Sequence, residues 1–212
     1  MSVKPIFFAL DGTTLNEFEF ELNKLKGHIY GVKVGLQLFI SEGPKVVEKL
    51  KNQGWTVFLD LKLHDIPNTV KEATKSASAI GADYLTIHIA SSSEALYEAT
   101  VNKGSDLKIL GVSNALTSKA MSEEISNKVN KEFTIAKENG VDGVICPSSE
   151  IAKTKELFEL IVTPGIRLEN EQQHDQKNIS TRQFALNQGA KFLVMGRSIR
   201  KNLNYIINEL QI

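Results

Sequence analysis

A chain of 212 residues, 42% hydrophobic and 24% charged, has material for one large core, and its 25 Lys plus Arg balance its 25 Asp plus Glu. Zero net charge excludes a general attraction to nucleic acid or a membrane surface, so any anion site must be local. The single cysteine, Cys146, excludes an internal disulfide and points to a reducing compartment, and the early apolar run IFFAL is too short for a secretory or membrane segment, so a cytoplasmic protein is expected.

In chain order, the apolar runs IFFALDG, YGVKVGLQL, TVFLDLKLHD, DYLTIHIA, LKILGVSNAL, VDGVICPS, LIVTPGI and KFLVMGRSI predict strands. Segments with helical spacing separate them, EALYEATVN and TRQFALNQGA among them, and NLNYIINELQI closes the chain. Parallel neighbours need a crossover helix, so the alternation predicts a parallel sheet closed into a single (β/α)8 TIM-barrel domain over residues 1–212. An open doubly wound sheet is the alternative, but the first turn, DGTTLNE, lacks the glycine-rich fingerprint of a dinucleotide site. One connection is long, polar and free of glycine: RLENEQQHDQKNIS, residues 167–180. It follows the seventh predicted strand and would lie as a lid at the C-terminal mouth, where barrels of this kind place their sites.

Strand side chains alternate between faces. In the third strand Val57, Leu59, Leu61 and Leu63 share one face, while Phe58, Asp60, Lys62 and His64 share the interior one. In the second strand Lys33 points inward between Gly31 and Gly35. In the first, Phe7, Ala9 and Asp11 share a parity, and in the fourth Thr86 and His88 oppose Leu85, Ile87 and Ile89. Asp11, Lys33, Asp60 and Lys62 should therefore converge near one end of the barrel. Either they form a buried salt-bridge lattice or they form a chemical site. A lattice is a poor stabiliser, because desolvating each ion costs several kcal/mol. The strand ends TPGIR and MGRS add Gly165, Arg167, Gly196 and Arg197 where barrel enzymes frequently bind phosphate. The plainer reading of these last is a glycine turn with a surface arginine.

Asp60-x-Lys62-x-x-Asp65 followed by IPNTV resembles the signature of the orotidine 5′-monophosphate decarboxylase family. The resemblance runs the length of the chain through ALDG, KVG, DLKLHDIPNTV, LTS, TPGIR, DQ and MGRSI, in that order. The metal-dependent relatives, sugar-phosphate decarboxylases and aldolases, carry a glutamate near the position of Lys33, which favours the orotidine branch. The resemblance implies that Asp11 bonds the ribose, that Lys33 joins the ribose and the charged array, and that Asp60 and Lys62 flank the reacting ring carbon. It implies that Asp65 and Thr69 reach into the partner's site of a homodimer and that Thr117 meets the pyrimidine edge. Gln176 and Arg197, with the Gly196 backbone, would grip phosphate, and Arg167 would anchor the lid. No cofactor and no metal are expected, with Lys62 as proton donor to the ring carbanion. The rival readings are a magnesium-dependent enzyme of the same superfamily and a catalytically silent phosphate-binding barrel.

The chain departs from the family pattern at Leu168, at STRQ, at HIASSS and at Ser198, none of which removes a charged group of the array. His64 and His88 read as interior histidines rather than metal ligands. Cys146 reads as a partly buried thiol, Trp55 as a packing residue and EEISNKVNKEF as a solvated helix face.

Overall fold

The computed structural model describes residues 3–113, 122–168 and 180–210. Its strands are β1 (Lys4–Leu10), β2 (Ile29–Gly35), β3 (Thr56–Leu63), β4 (Tyr84–His88), β5 (Lys108–Val112), β6 (Gly143–Ile145) and β7 (Ile161–Thr163). A short pair follows, β8 (Ile166–Arg167) and β9 (Ser180–Thr181), and then β10 (Phe192–Met195). The barrel closes in the order β1-β10-β7-β6-β5-β4-β3-β2 with every neighbouring pair parallel. This is the predicted (β/α)8 barrel, and closure of β1 on β10 excludes the open sheet. The helices are α1 (Glu19–Leu25), α2 (Leu36–Glu42), α3 (Lys45–Asn52), α4 (Pro67–Ala79), α5 (Ser93–Asn102), α6 (Glu123–Glu138), α7 (Ile151–Thr154), α8 (Arg182–Gln188), α9 (Arg197–Lys201) and α10 (Leu203–Leu210).

Alternation divides the apolar residues into two cores. Outward residues such as Val57, Leu59, Leu85 and Ile87 pack under helices, joined by Val46, Val47 and Leu50 of α3 and by Val129, Phe133 and Ala136 of α6. Inward residues Phe7, Ala9, Phe58, Tyr84, Leu110, Val112, Ile145, Val162, Phe192 and Val194 fill the barrel. Phe7 sits amid Tyr30, Phe58, Tyr84 and Phe192, with centroids 5.3–5.4 Å away and edge-to-face geometry. Such ring pairs contribute about 0.5–1.5 kcal/mol each beyond the area they bury. The Tyr30 and Tyr84 hydroxyls meet at 2.9 Å, so the aromatic floor leaves neither phenol without a partner. Burial, first, and the Tyr30 hydroxyl raise the Tyr84 phenol well above its ordinary range. This floor closes the N-terminal half of the interior and leaves the C-terminal half to polar groups.

Two aspartates latch the lower rim. Asp83 accepts from the Val57 N–H at 2.7 Å and pairs with Lys51, and Asp142 accepts from the Ile109 N–H at 2.7 Å and pairs with Lys103. The charged run at 123–133 is α6 with its solvated face, capped where Ser122 accepts from the Ile125 N–H. Trp55 is buried beside β3, with the Lys26 ammonium 4.4 Å from its ring centroid.

Several predicted strands stop earlier than their apolar runs. LQL after β2 and RSI after β10 begin α2 and α9, because a three-residue stretch is too short for its spacing to separate helix from strand. The seventh run breaks at Pro164-Gly165, where Gly165 takes φ +76°, a left-handed turn that favours glycine. Arg167 therefore belongs to β8, outside the barrel ladder, rather than to the end of the seventh strand. β8 pairs with β9 (Ile166 with Ser180, Arg167 with Thr181), so the two ends of the 167–180 segment are joined by a short parallel ladder. Most of that segment, the expected lid, lies outside the described residues.

Candidate active site

The C-terminal mouth holds a cavity of about 290 Å³, close to the lower end of the ~300–1,000 Å³ common for small-molecule sites. Asp11, Lys33, Asp60 and Lys62 line one side of it, and Pro164, Gly165, Arg167, Gly196 and Arg197 line another. Apolar Ala9, Phe58, Ile145 and Val194 form the inner wall.

The charges form a chain across adjacent strands. Lys33 Nζ lies 3.5 Å from Asp11 Oδ1 and 3.3 Å from Asp60 Oδ2, and Lys62 Nζ lies 2.8 Å from Asp60 Oδ1. Strand register makes this possible, since Ala9 pairs with Lys33 and Gly35 with Asp60, which brings the C-terminal ends of β1, β2 and β3 level. Asp60 and Lys33 are almost fully buried, while the side chains of Lys62 and Asp11 are 40% and 61% exposed. Burial works against the charge on Asp60. The Lys33 ammonium and then Lys62 outweigh it, aided by hydrogen bonds from Lys62 and Thr86, and hold the carboxyl below its ordinary range.

Lys62 is reached by an irregularity in β3. Leu59 pairs with Leu85 but Leu63 pairs with Ile87, so Asp60, Leu61 and Lys62 pass opposite Thr86 alone. Lys62 takes φ +51°, the one non-glycine residue in the left-handed region among those described. Backbone strain of this kind costs of order 1–3 kcal/mol and clusters at functional sites. The bulge keeps Asp60 buried inside while the Lys62 side chain turns into the open cavity.

On the far side Arg167 Nη1 donates to Ser198 Oγ at 3.3 Å, tying the loop after β7 to the start of α9. Ser198, one of the departures from the family pattern, is thus wholly buried and bound to a predicted site residue. A Cβ on Gly196 would stand 3.2 Å from both Ala9 Cβ and Asp11 Oδ2, so a side chain there would crowd the mouth.

The structure gathers Asp11, Lys33, Asp60, Lys62, Arg167, Gly196 and Arg197 around one cavity. Asp65 and Thr69 stay outside it, exposed just before α4 and in its first turn, and Asp65 Oδ1 accepts from the Ile66 N–H. Thr117 and Gln176 lie outside the described residues. Contrary to the parity expectation, His64 is exposed at the rim, because β3 ends at Leu63 and alternation no longer governs it. His88 is half-buried against it, ring centroids 5.4 Å apart. Burial first, then His64, lowers its pKa, and neither histidine lines the cavity. Cys146 is fully rather than partly buried, and burial pushes its thiol up to about 12. Among the described residues no three His, Cys, Asp or Glu converge as metal ligands, and no helix is long and apolar enough to cross a membrane. The sequence reading missed Thr86 as a site residue. Its parity placed it on the interior face, but nothing local showed that it would meet Asp60.

Known proteins share the sequence and the fold of this chain. The family model described as orotidine 5′-phosphate decarboxylase / HUMPS family matches residues 4–205. A protein of Fusobacterium nucleatum named orotidine 5′-phosphate decarboxylase is 37% identical, covering 95% of this chain and 91% of that protein. The solved structure of an orotidine 5′-phosphate decarboxylase from Lactobacillus acidophilus superposes with a TM-score of 0.78 at 29% identity, covering 99% of this chain and 100% of the other. An uncharacterized conserved protein from Geobacillus kaustophilus gives 0.79 at 31% identity, covering 98% of each chain.

Proposed function

The chain belongs to the orotidine 5′-phosphate decarboxylase / HUMPS family, and from that membership together with the charge array we infer that it converts orotidine 5′-monophosphate to uridine 5′-monophosphate, the last step of de novo pyrimidine nucleotide synthesis. The observation that carries the reading is the Lys62 ammonium, 2.8 Å from buried Asp60 and open to the cavity.

Losing carbon dioxide from the pyrimidine ring breaks a carbon–carbon bond and leaves its electron pair on a ring carbon with no adjacent carbonyl to accept it. Lys62 answers both demands of that step. Its charge attracts the developing carbanion, and one of its protons then completes the new C–H bond, to be replaced from solvent. Asp60 faces the substrate carboxylate and is relieved as that group departs as neutral gas. Two unit charges ~4 Å apart at an effective dielectric of ~20 interact by roughly 4 kcal/mol. Enzymes lower barriers by ~8–23 kcal/mol, so the larger share falls to positioning. Arg197 and Gln176, with the Gly196 backbone, hold the phosphate, Asp11 and Lys33 hold the ribose, and Thr117 meets the base. Arg167 anchors the lid formed by 167–180, which closes once phosphate is bound and turns remote binding energy into alignment.

Asp65 and Thr69 complete the neighbouring site in a homodimer. Their exposure on the single chain supports this, as do exposed Ile66, Leu36 and Ile40. These apolar residues follow β3 and β2, the strands that carry Lys62 and Lys33. The free buried thiol of Cys146 fits a cytoplasmic setting. Lys33 stands near where the metal-dependent relatives carry a glutamate, so the reading requires no metal.

Loss of orotidine 5′-monophosphate absorbance tests the assignment. Turnover should survive EDTA, whereas a metal-dependent relative would lose it. Lys62→Ala should reduce kcat by ~10⁴-fold or more, while Arg197→Ala should act mainly on KM; equal effects on both parameters in both variants would contradict this division.

A further inference from the structure

Thr86 lies at the middle of β4, wholly buried, opposite the residues of β3 that leave the regular ladder. Its Oγ1 accepts from the Lys62 backbone N–H at 2.8 Å and donates to Asp60 Oδ1 at 2.9 Å. The hydroxyl has no choice of direction. An N–H can only donate and a carboxylate only accept, so the single Thr86 proton is committed to Asp60. Buried threonines elsewhere behave differently: Thr74 and Thr154 donate to the carbonyls of Val70 and Glu150 one helical turn back, a bond local to the helix. Thr86 instead links two residues of another strand, and those residues carry the strained backbone and the most buried carboxylate of the charge array. Asp60 Oδ1 receives the Lys62 ammonium as well, so the Thr86 hydroxyl and the counter-charge converge on one carboxylate oxygen.

We propose that Thr86 is a positioning residue for the decarboxylation, its one hydroxyl holding both the turned backbone that aims Lys62 and the carboxylate that faces it. The inference rests on the decarboxylase reading and adds a residue to it. A β-branched side chain suits the task, because its χ1 is confined by the strand. Valine keeps that shape and loses both bonds, leaving the buried Lys62 N–H without its acceptor and freeing Asp60 to rotate. Substrate recognition uses other groups, so the loss should appear in the chemical step.

Steady-state kinetics of Thr86→Val, Thr86→Ser and Thr86→Cys against the wild-type enzyme test this. Removing a buried hydrogen-bond partner corresponds to a roughly ten- to hundredfold effect, expected in kcat for Thr86→Val with KM within about threefold of wild type. Thr86→Ser, which keeps the hydroxyl, should recover kcat to within about threefold. Should the valine variant fail to fold, Thr86→Cys carries the same expectation, since a thiol is a weak donor and acceptor. A Thr86→Val or Thr86→Cys enzyme with wild-type kcat, or serine and valine variants impaired alike, overturns the proposal while leaving the decarboxylase reading intact. Wild-type enzyme without turnover on orotidine 5′-monophosphate overturns that reading and this inference with it.

Discussion

Asp60 keeps its charge in a place where burial alone would neutralise it, because Lys33 and Lys62 approach its two oxygens from neighbouring positions. Its folded pKa lies below the ordinary 3.8, so the ionised group contributes stability that is present above that value and is lost as pH falls through the folded one. Lys33→Met removes the stronger of the two charge partners and lets burial count for more. The variant should be least stable relative to wild type at neutral pH, by about 2 kcal/mol, with the gap narrowing on acidification as the carboxyl takes up its proton. Urea denaturation at a series of pH values reads this directly; a gap that widens toward acid would refute the account. The same residues make the lattice alternative unattractive: the Lys62 side chain stays 40% exposed, open to the cavity and well placed to meet a ligand.

At the scale of elements, the site depends on two places where regular structure stops. β3 bulges against β4 and turns Lys62 toward the cavity, and the seventh run breaks at Gly165, sending Ile166 and Arg167 out to pair with Ser180 and Thr181. The second break lets one loop both line the cavity and fasten the base of the 167–180 segment. Gly165→Ala forces a side chain into the left-handed region and should cost about 1–2 kcal/mol in equilibrium unfolding. Its kinetic effect should fall on KM, through the misplaced Arg167, more than on kcat. A variant with unchanged stability would mean that the turn relaxes without strain.

At the scale of the molecule, closure of the barrel levels three strand ends and creates one cavity from residues far apart in the chain. The proposal that Asp65 and Thr69 of a second copy complete that cavity has a sharp consequence. Lys62→Ala and Asp65→Asn, each nearly inactive alone, should regain activity when mixed and allowed to exchange subunits. In a twofold dimer only one site of each hybrid is intact, so about a quarter of wild-type activity is expected at equal mixing. No recovery, with exchange verified by sedimentation of tagged subunits, would remove the shared site.

Much of this protein was legible without coordinates. Two-residue alternation is a local property, so the faces of β1 to β4, and with them the inward aim of Lys33 and Asp60, followed from the chain alone, as did the parallel barrel from its repeated rhythm. Strand ends were less legible, since LQL and RSI fit either period, and His64 left the pattern once β3 stopped. What only the tertiary structure decided is non-local: the register slip between β3 and β4, the left-handed Lys62, the Thr86 bridge, and the Arg167–Ser198 contact. Each arises where two segments distant in sequence must share one ladder or one gap, and no periodicity within either segment encodes how they meet.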